Sequence, residues 1–545
     1  MAIPGQCSCL TILLCWPVRI RGRIATLLFA QNEGWGSSGK RGFFAVVCST
    51  ASSPKKPGRN WSEVMASKKR LFISADHGLA LIYFLQSDVV ATLLQGGVEV
   101  VLLTEDSARA ALEQRFHQPG LIFEGLRLDQ CQHYYRTVKP SQQRWLYLLR
   151  WAGGSRRINT TAIEGNYHLS VHGVRGRTRF IIPFIRALIL LMRLSRPVRQ
   201  AVVNYQNRFT PSIYADLFEK YQPALVVAST PGWRFDRYLL REAAARHIPT
   251  ASVIVGWDNP SSYRLCGAPV NWITCWSEIQ KEELVLGADW KPEQVHIGGI
   301  PSYDGYFRKS WLIPREEYFR LHGLDPQRKL LSYAASFVTF APNFPNMSTL
   351  AELVASDALD EPCQLLIRLH PNHFRQGSIY EAEAQRIRAF VRDMPHVHIV
   401  EPVPLSGGLG HYSGEDMPEK ASMMAYSDVF LTVYSTMVVE TAIHDRPIVS
   451  VCIDAPHGWN SPKVYSLPLT AIGEWPTHKR FRQSGAGRVA TNRAELREQI
   501  NFYLKHPQAD AAARRRFVQE ECTFTDGSAG RRTGEYLLSL LERRP

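Results

Sequence analysis

Ser427-Asp-Val-Phe-Leu-Thr-Val-Tyr-Ser-Thr-Met-Val-Val-Glu-Thr-Ala-Ile-His-Asp-Arg-Pro-Ile-Val449 reads as a buried strand over 429–433, a tight Tyr434-Ser435-Thr436 turn, a short helix carrying Glu440, and a second strand from Ile448. A strand feeding a hydroxyl-bearing turn that opens a helix is a ready anion site. The first amides of a helix lack partners within it, and the dipole favours negative charge there. Glu440 stands about one turn in, where a carboxylate accepts the two hydroxyls of a ribose. A phosphate grip beside a sugar grip points to a nucleotide. An ordinary strand–helix unit of an α/β domain carries the same pattern.

Working outward, the same alternation recurs on both sides. In the second half, strands are predicted over 329–336, over 363–369 ending in His370-Pro-Asn372, over 397–400, and at the two places quoted above. In the first half a strand over 71–74 leads through Ala75-Asp76-His77-Gly78 into an apolar helix over 79–94, closed by Gly96-Gly97. Strands follow over 99–103, 223–230, 251–255 and 271–276, the third of these ending in Gly256-Trp257-Asp258-Asn259-Pro260. The expected fold class is α/β: two Rossmann-like, doubly wound parallel-sheet domains facing a cleft. The expected domains are 65–305, with a basic insert over 132–200, and 306–545.

Residues 1–64 lack helical or strand periodicity, and Met65 with the strand just after it resembles a natural start, so 1–64 are expected to be an extension outside the fold. Within them, Gly34-Trp-Gly-Ser-Ser-Gly39-Lys40 matches most of a phosphate-loop pattern. Arg41 follows where a magnesium-binding hydroxyl belongs, and then a strand-like apolar run, so this match is set aside.

The 10 cysteines form no C-x-x-C pair and no zinc-type spacing, which points to a reducing compartment and to no structural metal. The net charge of +15 is concentrated: residues 136–199 hold 13 Lys/Arg and a single acid, Glu164. Such a block attracts anionic lipid, an acidic polymer or nucleic acid. Nucleic acid is not expected, because no stacking motif or recognisable module accompanies the charge. The apolar run over 180–192 is too short to span a bilayer. With its arginines and with Trp145 and Trp151 nearby it suits a segment lying on an anionic membrane surface, and a buried helix with a solvated arginine face fits equally. The expected location is cytoplasmic, peripheral at the inner face of the membrane.

Taken together, Gly298-Gly-Ile-Pro-Ser-Tyr-Asp304, Arg368-Leu-His-Pro-Asn372, and the 427–449 segment with the later Asp526-Gly527 resemble the GT-B superfamily of glycosyltransferases. They are most similar to the CDP-glycerol glycerophosphotransferase and surface-polysaccharide transferase group. The resemblance covers roughly residues 71–541, and the second half carries it better. It implies that the second domain holds a nucleotide diphosphate donor, the first an acceptor that is lipid-linked or polymeric, with no metal and no cofactor. It places Ser435 and Thr436 on phosphate, Glu440 on the ribose, and His370 on a donor phosphate. This chain departs from the group where a Trp-His-Gly-Thr-Pro motif supplies a histidine; here the sequence is Gly256-Trp257-Asp258-Asn259-Pro260. That departure favours a nucleotide-sugar donor and a glycosyltransferase of surface polysaccharide or glycolipid synthesis. CDP-glycerol transfer, nonhydrolysing sugar-nucleotide epimerisation and a non-catalytic assembly protein are the alternatives.

An acceptor hydroxyl must lose its proton as it attacks, and imidazole suits that step. His77, after the first strand, is one candidate base, although Asp76-His77 would also cap the following helix. Asp258 is the rival, with an Asx turn before Pro260 as its structural alternative. Asp526 and Gly527 read as a cap and turn for the last helix, and His444 as a helix-end residue favoured by the dipole.

Overall fold

The computed structural model describes residues 69–172, 180–263, 265–336, 343–374, 379–403, 413–454 and 467–543. The 1–64 extension and the Gly34–Lys40 pattern lie outside the described residues.

Among the described residues thirteen strands, all parallel, form two sheets. The first contains β1 (Arg70–Ala75), β2 (Glu99–Thr104), β3 (Leu121–Gly125), β4 (Leu225–Ala228), β5 (Thr250–Val253), β6 (Trp272–Cys275) and β7 (Val295–Ile297), in the order β3-β2-β1-β4-β5-β6-β7. The second contains β8 (Lys329–Ala334), β9 (Cys363–Arg368), β10 (Val397–Val400), β11 (Val429–Thr432), β12 (Ile448–Val451) and β13 (Arg488–Ala490), in the order β10-β9-β8-β11-β12-β13. The central strands are buried along nearly their whole length, Ser74 and Ser332 included, because helices cover both faces. In β11, Val429, Phe430 and Leu431 are all fully buried. The expected fold class is therefore present in both halves.

In each sheet the strand order reverses beside the first strand, between β1 and β4 and between β8 and β11. Open parallel sheets bind ligands outside the carboxyl ends of strands at such a switch point, where neighbouring loops run to opposite faces and leave a crevice. His77 follows β1, and the Tyr434-Ser435-Thr436 turn follows β11.

Three local expectations are corrected. The helix read over 79–94 is two helices, Gly78–Leu85 and Asp88–Gln95, bent by 45°. Ser87 breaks it: its Oγ donates to Tyr83 O at 2.5 Å and accepts from Val89 N at 3.3 Å, so it caps the second piece. The edge strands β3 and β13 were not foreseen. The final helix, Ala529–Leu540, leaves the second sheet and packs on the first domain, where Leu537 and Leu540 enter the core with Val89 and Leu93. Gly530 allows the approach, since a Cβ there would lie 2.7 Å from Asp88 N. Asp304, from the glycine-rich motif before the second half, accepts from Ala529 N at 3.0 Å and Gly530 N at 2.7 Å and so caps this helix.

The basic insert forms its own small core of Leu148, Leu149, Trp151, Ile163, Ile185, Ile189 and Met192. Trp151 thus faces inward, contrary to its placement at a membrane surface. Several of the block's arginines are also internal: Arg199 forms a two-pronged pair with Asp289 at 2.7 Å on each arm, and Arg193 pairs with Glu164 at 2.9 Å. The helix Ile182–Leu194 has one buried face, and its outer side carries Phe184 at 75% exposure and Leu191 at 51%, with Phe180 just before it at 77%. No single helix among the described residues is long and apolar enough to cross a membrane.

Candidate functional site

At the first switch point, Asp76 and His77 end β1 and open the helix Gly78–Leu85. His77 is the N-cap residue by backbone, yet its side chain makes no capping bond. Its Nδ1 instead lies 2.6 Å from Asp76 Oδ1. Asp76 is buried and also accepts from Ser229 Oγ at 2.6 Å and from Arg234 Nε at 2.7 Å, both from the loop after β4. Burial raises the carboxyl, but the Arg234 guanidinium and His77 outweigh it and hold Asp76 well below the usual carboxylate range. A permanently ionised Asp76 keeps the Nδ1 proton on its side of the ring and leaves Nε2 as a proton acceptor. Asp236, one turn further on, is pushed up by burial and by the Asp76 charge; it accepts from Thr230 N at 3.1 Å and Thr230 Oγ1 at 2.6 Å. Ser229, Arg234 and Asp236 were missed in the sequence, since nothing local links them to His77.

Asp258 begins the short helix Asn259–Ser262 after β5 and accepts from Ser262 Oγ at 3.0 Å. Burial pushes its carboxyl up. The turn is closed by Asn259, whose Oδ1 accepts from Gly256 N at 2.9 Å, three residues back.

At the second switch point the chain turns sharply after β11, with Tyr434 in the left-handed region at φ 38°, a conformation that non-glycine residues adopt at some cost. Gly473 makes room for the displaced ring, for a Cβ there would lie 2.5 Å from the Tyr434 hydroxyl. Ser435 and Thr436 then lead into Met437–Ile443. The expectation of unpartnered amides at this helix start is corrected: Met437 N reaches Ser435 Oγ, Val438 N reaches Ser435 O, and Val439 N reaches Thr436 O. The helix is only two turns long, so the dipole argument weakens with it. Any phosphate here would meet the hydroxyls of Ser435 and Thr436.

A cation reaches Glu440 from the helix Met417–Tyr426. Lys420 Nζ lies 2.5 Å from Glu440 Oε2, and the Tyr306 hydroxyl donates to the same oxygen at 2.6 Å. Glu440 is buried with its carboxylate already engaged. Beyond Lys420 is His370, whose Nδ1 accepts from Asn372 N at 3.1 Å, so its proton is on Nε2. Burial, His373, Arg368 and Lys420 together hold His370 down to about 3, which keeps it a neutral hydrogen-bond donor. Arg368 is turned away, paired with Asp416 at 2.7 Å and with Glu419. His444 is neutral rather than dipole-stabilised: burial brings it down to about 4 despite Glu440 nearby. Asp526 does make the predicted turn, accepting from Ser528 N at 3.0 Å.

Aromatic rings join the loop after β5 to the turn after β11. The His478 ring lies 6.0 Å from Trp257 and 4.9 Å from Tyr434, centroid to centroid. Trp257 precedes Asp258, and Tyr434 precedes Ser435. Trp257 Nε1 also donates to Glu521 at 2.7 Å, and Arg480 bridges Glu283 of the first half and Glu521 of the second.

Residues 289–539 match the model of the CDP-glycerol:poly(glycerophosphate) glycerophosphotransferase family. The matched region holds Asp304, His370, Lys420, Ser435, Thr436 and Glu440; His77 and Asp258 precede it. The match agrees with the resemblance read from the motifs of the second half. No curated protein matches the sequence. Among solved structures, UDP-GlcNAc 2-epimerase from Neisseria meningitidis bound to UDP-GlcNAc is similar over 86% of this chain and 100% of its own, at 12% identity and TM-score 0.47. A putative UDP-N-acetylglucosamine 2-epimerase from Listeria monocytogenes covers 88% and 99%, at 13% and 0.48. WaaG, a glycosyltransferase involved in lipopolysaccharide biosynthesis, covers 86% and 99%, at 12% and 0.41. At such distances the fold assignment rests on the two parallel sheets themselves.

Proposed function

We propose that the chain is a GT-B-type transferase that moves a sugar from a nucleotide diphosphate donor to an acceptor hydroxyl, without a metal, in surface polysaccharide or glycolipid synthesis. The observation that carries this reading is a parallel α/β sheet in each half whose switch point carries polar chemistry, an Asp–His pair in the first and, in the second, a hydroxyl turn opening the helix of Glu440, which Lys420 pairs. The donor diphosphate lies against Ser435, Thr436, the Lys420 ammonium and His370 Nε2–H, which stabilise the charge that develops on the leaving group. Glu440 holds the ribose, exchanging its bond to Tyr306 for one to the sugar hydroxyls. The acceptor hydroxyl gives its proton to His77 Nε2, and ionised Asp76 stabilises the imidazolium. The exposed apolar edge formed by Phe180, Phe184 and Leu191, with Arg186 beside it, supports a peripheral hold on an anionic membrane carrying the acceptor.

Glycerol-phosphate transfer is the second reading, and the family match over residues 289–539 favours it. The two are separated by incubating the protein in EDTA with UDP-, GDP- and CDP-linked donors and following nucleotide release with and without acceptor. Under the first reading a sugar nucleotide is consumed only when acceptor is present. His77→Gln then lowers kcat by about 10² to 10⁴ and leaves nucleotide affinity intact. Conversion of a sugar nucleotide into its epimer without acceptor and without nucleotide release would make the chain an epimerase. Loss of transfer in Asp258→Asn but not in His77→Gln would move the base to Asp258.

A further inference from the structure

The strand Cys363–Arg368 runs out at Leu369-His370-Pro371, because Pro371 has no N–H to offer the ladder. His370 therefore leaves the sheet with an amide and a carbonyl to satisfy, and His373 serves both. The amide of His373 donates to His370 O at 2.8 Å, and the amide of His370 donates to His373 Nδ1 at 3.0 Å. An imidazole that accepts at Nδ1 carries its proton on Nε2, and an imidazolium has no acceptor to give. His373 Nε2 lies 3.0 Å from Glu383 Oε2 and so donates to it. The other tautomer would set two N–H groups against each other at His370 and a lone pair against the carboxylate at Glu383.

His373 and Glu383 are both fully buried, and the reaction proposed above uses neither. Glu383 lies on the helix Ile379–Val391 and also accepts from Asn343 Nδ2 at 3.2 Å. Asn343 stands where the helix Phe344–Ala355 begins. It brackets Ser336, just after β8, accepting from Ser336 N at 2.6 Å and donating to Ser336 O at 3.0 Å. One carboxyl group thus ties together the loops that leave β8 and β9, beside the second switch point. Its burial is costly, for Glu383 Oε1 has no partner among the described residues. An apolar pair would fill the same space at lower cost, so cohesion alone does not account for the network.

The network ends on His370. The His370 ring accepts from Asn372 N at 3.1 Å through Nδ1 and carries its proton on Nε2. Where that N–H points depends on the His370 backbone, which His373 holds at both its amide and its carbonyl.

We propose that Glu383 is a positioning residue for His370: by fixing the tautomer of His373 it holds the His370 peptide and so aims His370 Nε2–H at the donor phosphate. The contact between His370 and a phosphate rests on the reading given above; the hold of Glu383 and His373 on His370 does not.

The test combines calorimetric titration of the full chain with UDP, GDP and CDP and nitrogen-15 spectra of the histidine-labelled chain. In the parent spectrum His373 should show a protonated Nε2 and a bare Nδ1. Glu383→Leu should mix the His373 tautomers and weaken the preferred nucleotide about tenfold, roughly the worth of one charge-assisted hydrogen bond. Glu383→Gln, whose side-chain oxygen still accepts from Nε2–H, should restore both. His370→Gln should weaken the nucleotide by a similar factor, and adding Glu383→Leu to it should cost little more, since the two act through one contact. Should Glu383→Leu not fold, Glu383→Leu with His373→Phe removes both polar partners together and takes its place in the binding measurement. A His373 protonated on Nδ1, or a Glu383→Leu loss that persists in full when His370→Gln is already present, would overturn the inference. Tautomers displaced as expected, in a chain that binds no nucleotide or binds it equally well as His370→Gln, would leave the hold on His370 standing and defeat the donor-site reading alone.

Discussion

Replacing Lys420 with methionine tests the centre of the donor half. The ammonium lies 2.5 Å from Glu440 Oε2. At an effective dielectric constant of about 20, two unit charges at that distance attract by roughly 7 kcal/mol, before the cost of taking both out of water. Removing one member of a buried pair costs about 3–5 kcal/mol, because the remaining charge is left without compensation. The Lys420 side chain is 14% exposed and Glu440 keeps the Tyr306 hydroxyl, so the low end, about 3 kcal/mol, is expected. Glu440→Gln alone should cost less, about 1 kcal/mol, since the freed ammonium can turn to water. The double variant should recover about 2 kcal/mol relative to the sum of the singles. A chain with two sheets need not unfold in one step. The comparison is therefore the urea midpoint of the transition reporting the second half, at unchanged slope. For a slope of about 3 kcal/mol/M, Lys420→Met moves that midpoint down by about 1 M, and the double variant returns about a third of it. Additive losses in the double variant, or a shift below about 0.3 M for Lys420→Met, would refute the argument that Lys420 is the counter-ion of a buried carboxylate.

Two further outcomes follow from buried and exposed groups. Burial holds His370 and His478 down to about 3 and His444 to about 4, whereas the same residues in the unfolded chain titrate near 6.5. The unfolded state thus binds more protons below that value, so stability is complete above about pH 6.5 and falls as pH drops toward 4. Each imidazole adds roughly 1.4 kcal/mol per pH unit to the slope, and His478→Asn should remove one proton's share, read from denaturation midpoints between pH 4 and 7. On the outer face of Ile182–Leu194, Phe184→Glu with Leu191→Glu should reduce sedimentation with anionic phosphatidylserine vesicles several-fold while leaving soluble turnover unchanged; retained sedimentation would remove the membrane reading.

The repeated alternation of buried strand and helix was legible along the chain because strands covered on both faces carry unbroken apolar runs, as in Leu71-Phe-Ile73 of β1 and Val429-Phe-Leu431 of β11. The edge strands β3 and β13 were not, since a short strand with a half-exposed pattern carries little periodic signal. The break at Ser87 was hidden for a different reason. A serine inside an apolar run reads as one polar position until its hydroxyl is seen capping the next helix. Ser435, Thr436 and Glu440 could be named from one contiguous segment. Lys420, Tyr306, Ser229 and Arg234 could not, because each reaches its partner from an element distant in the chain.

What the sequence by itself determined is the pair of parallel α/β units and the loops at the ends of their strands, since both follow from local hydrophobic pattern and turn chemistry. Only the tertiary structure decided the charges at those loops. It placed Arg234 and Ser229 against Asp76, engaged Glu440 with Lys420 and Tyr306, and satisfied the amides of Met437, Val438 and Val439 within their own turn. Electrostatic environment depends on distance and burial between residues far apart in the chain, and no local pattern encodes either.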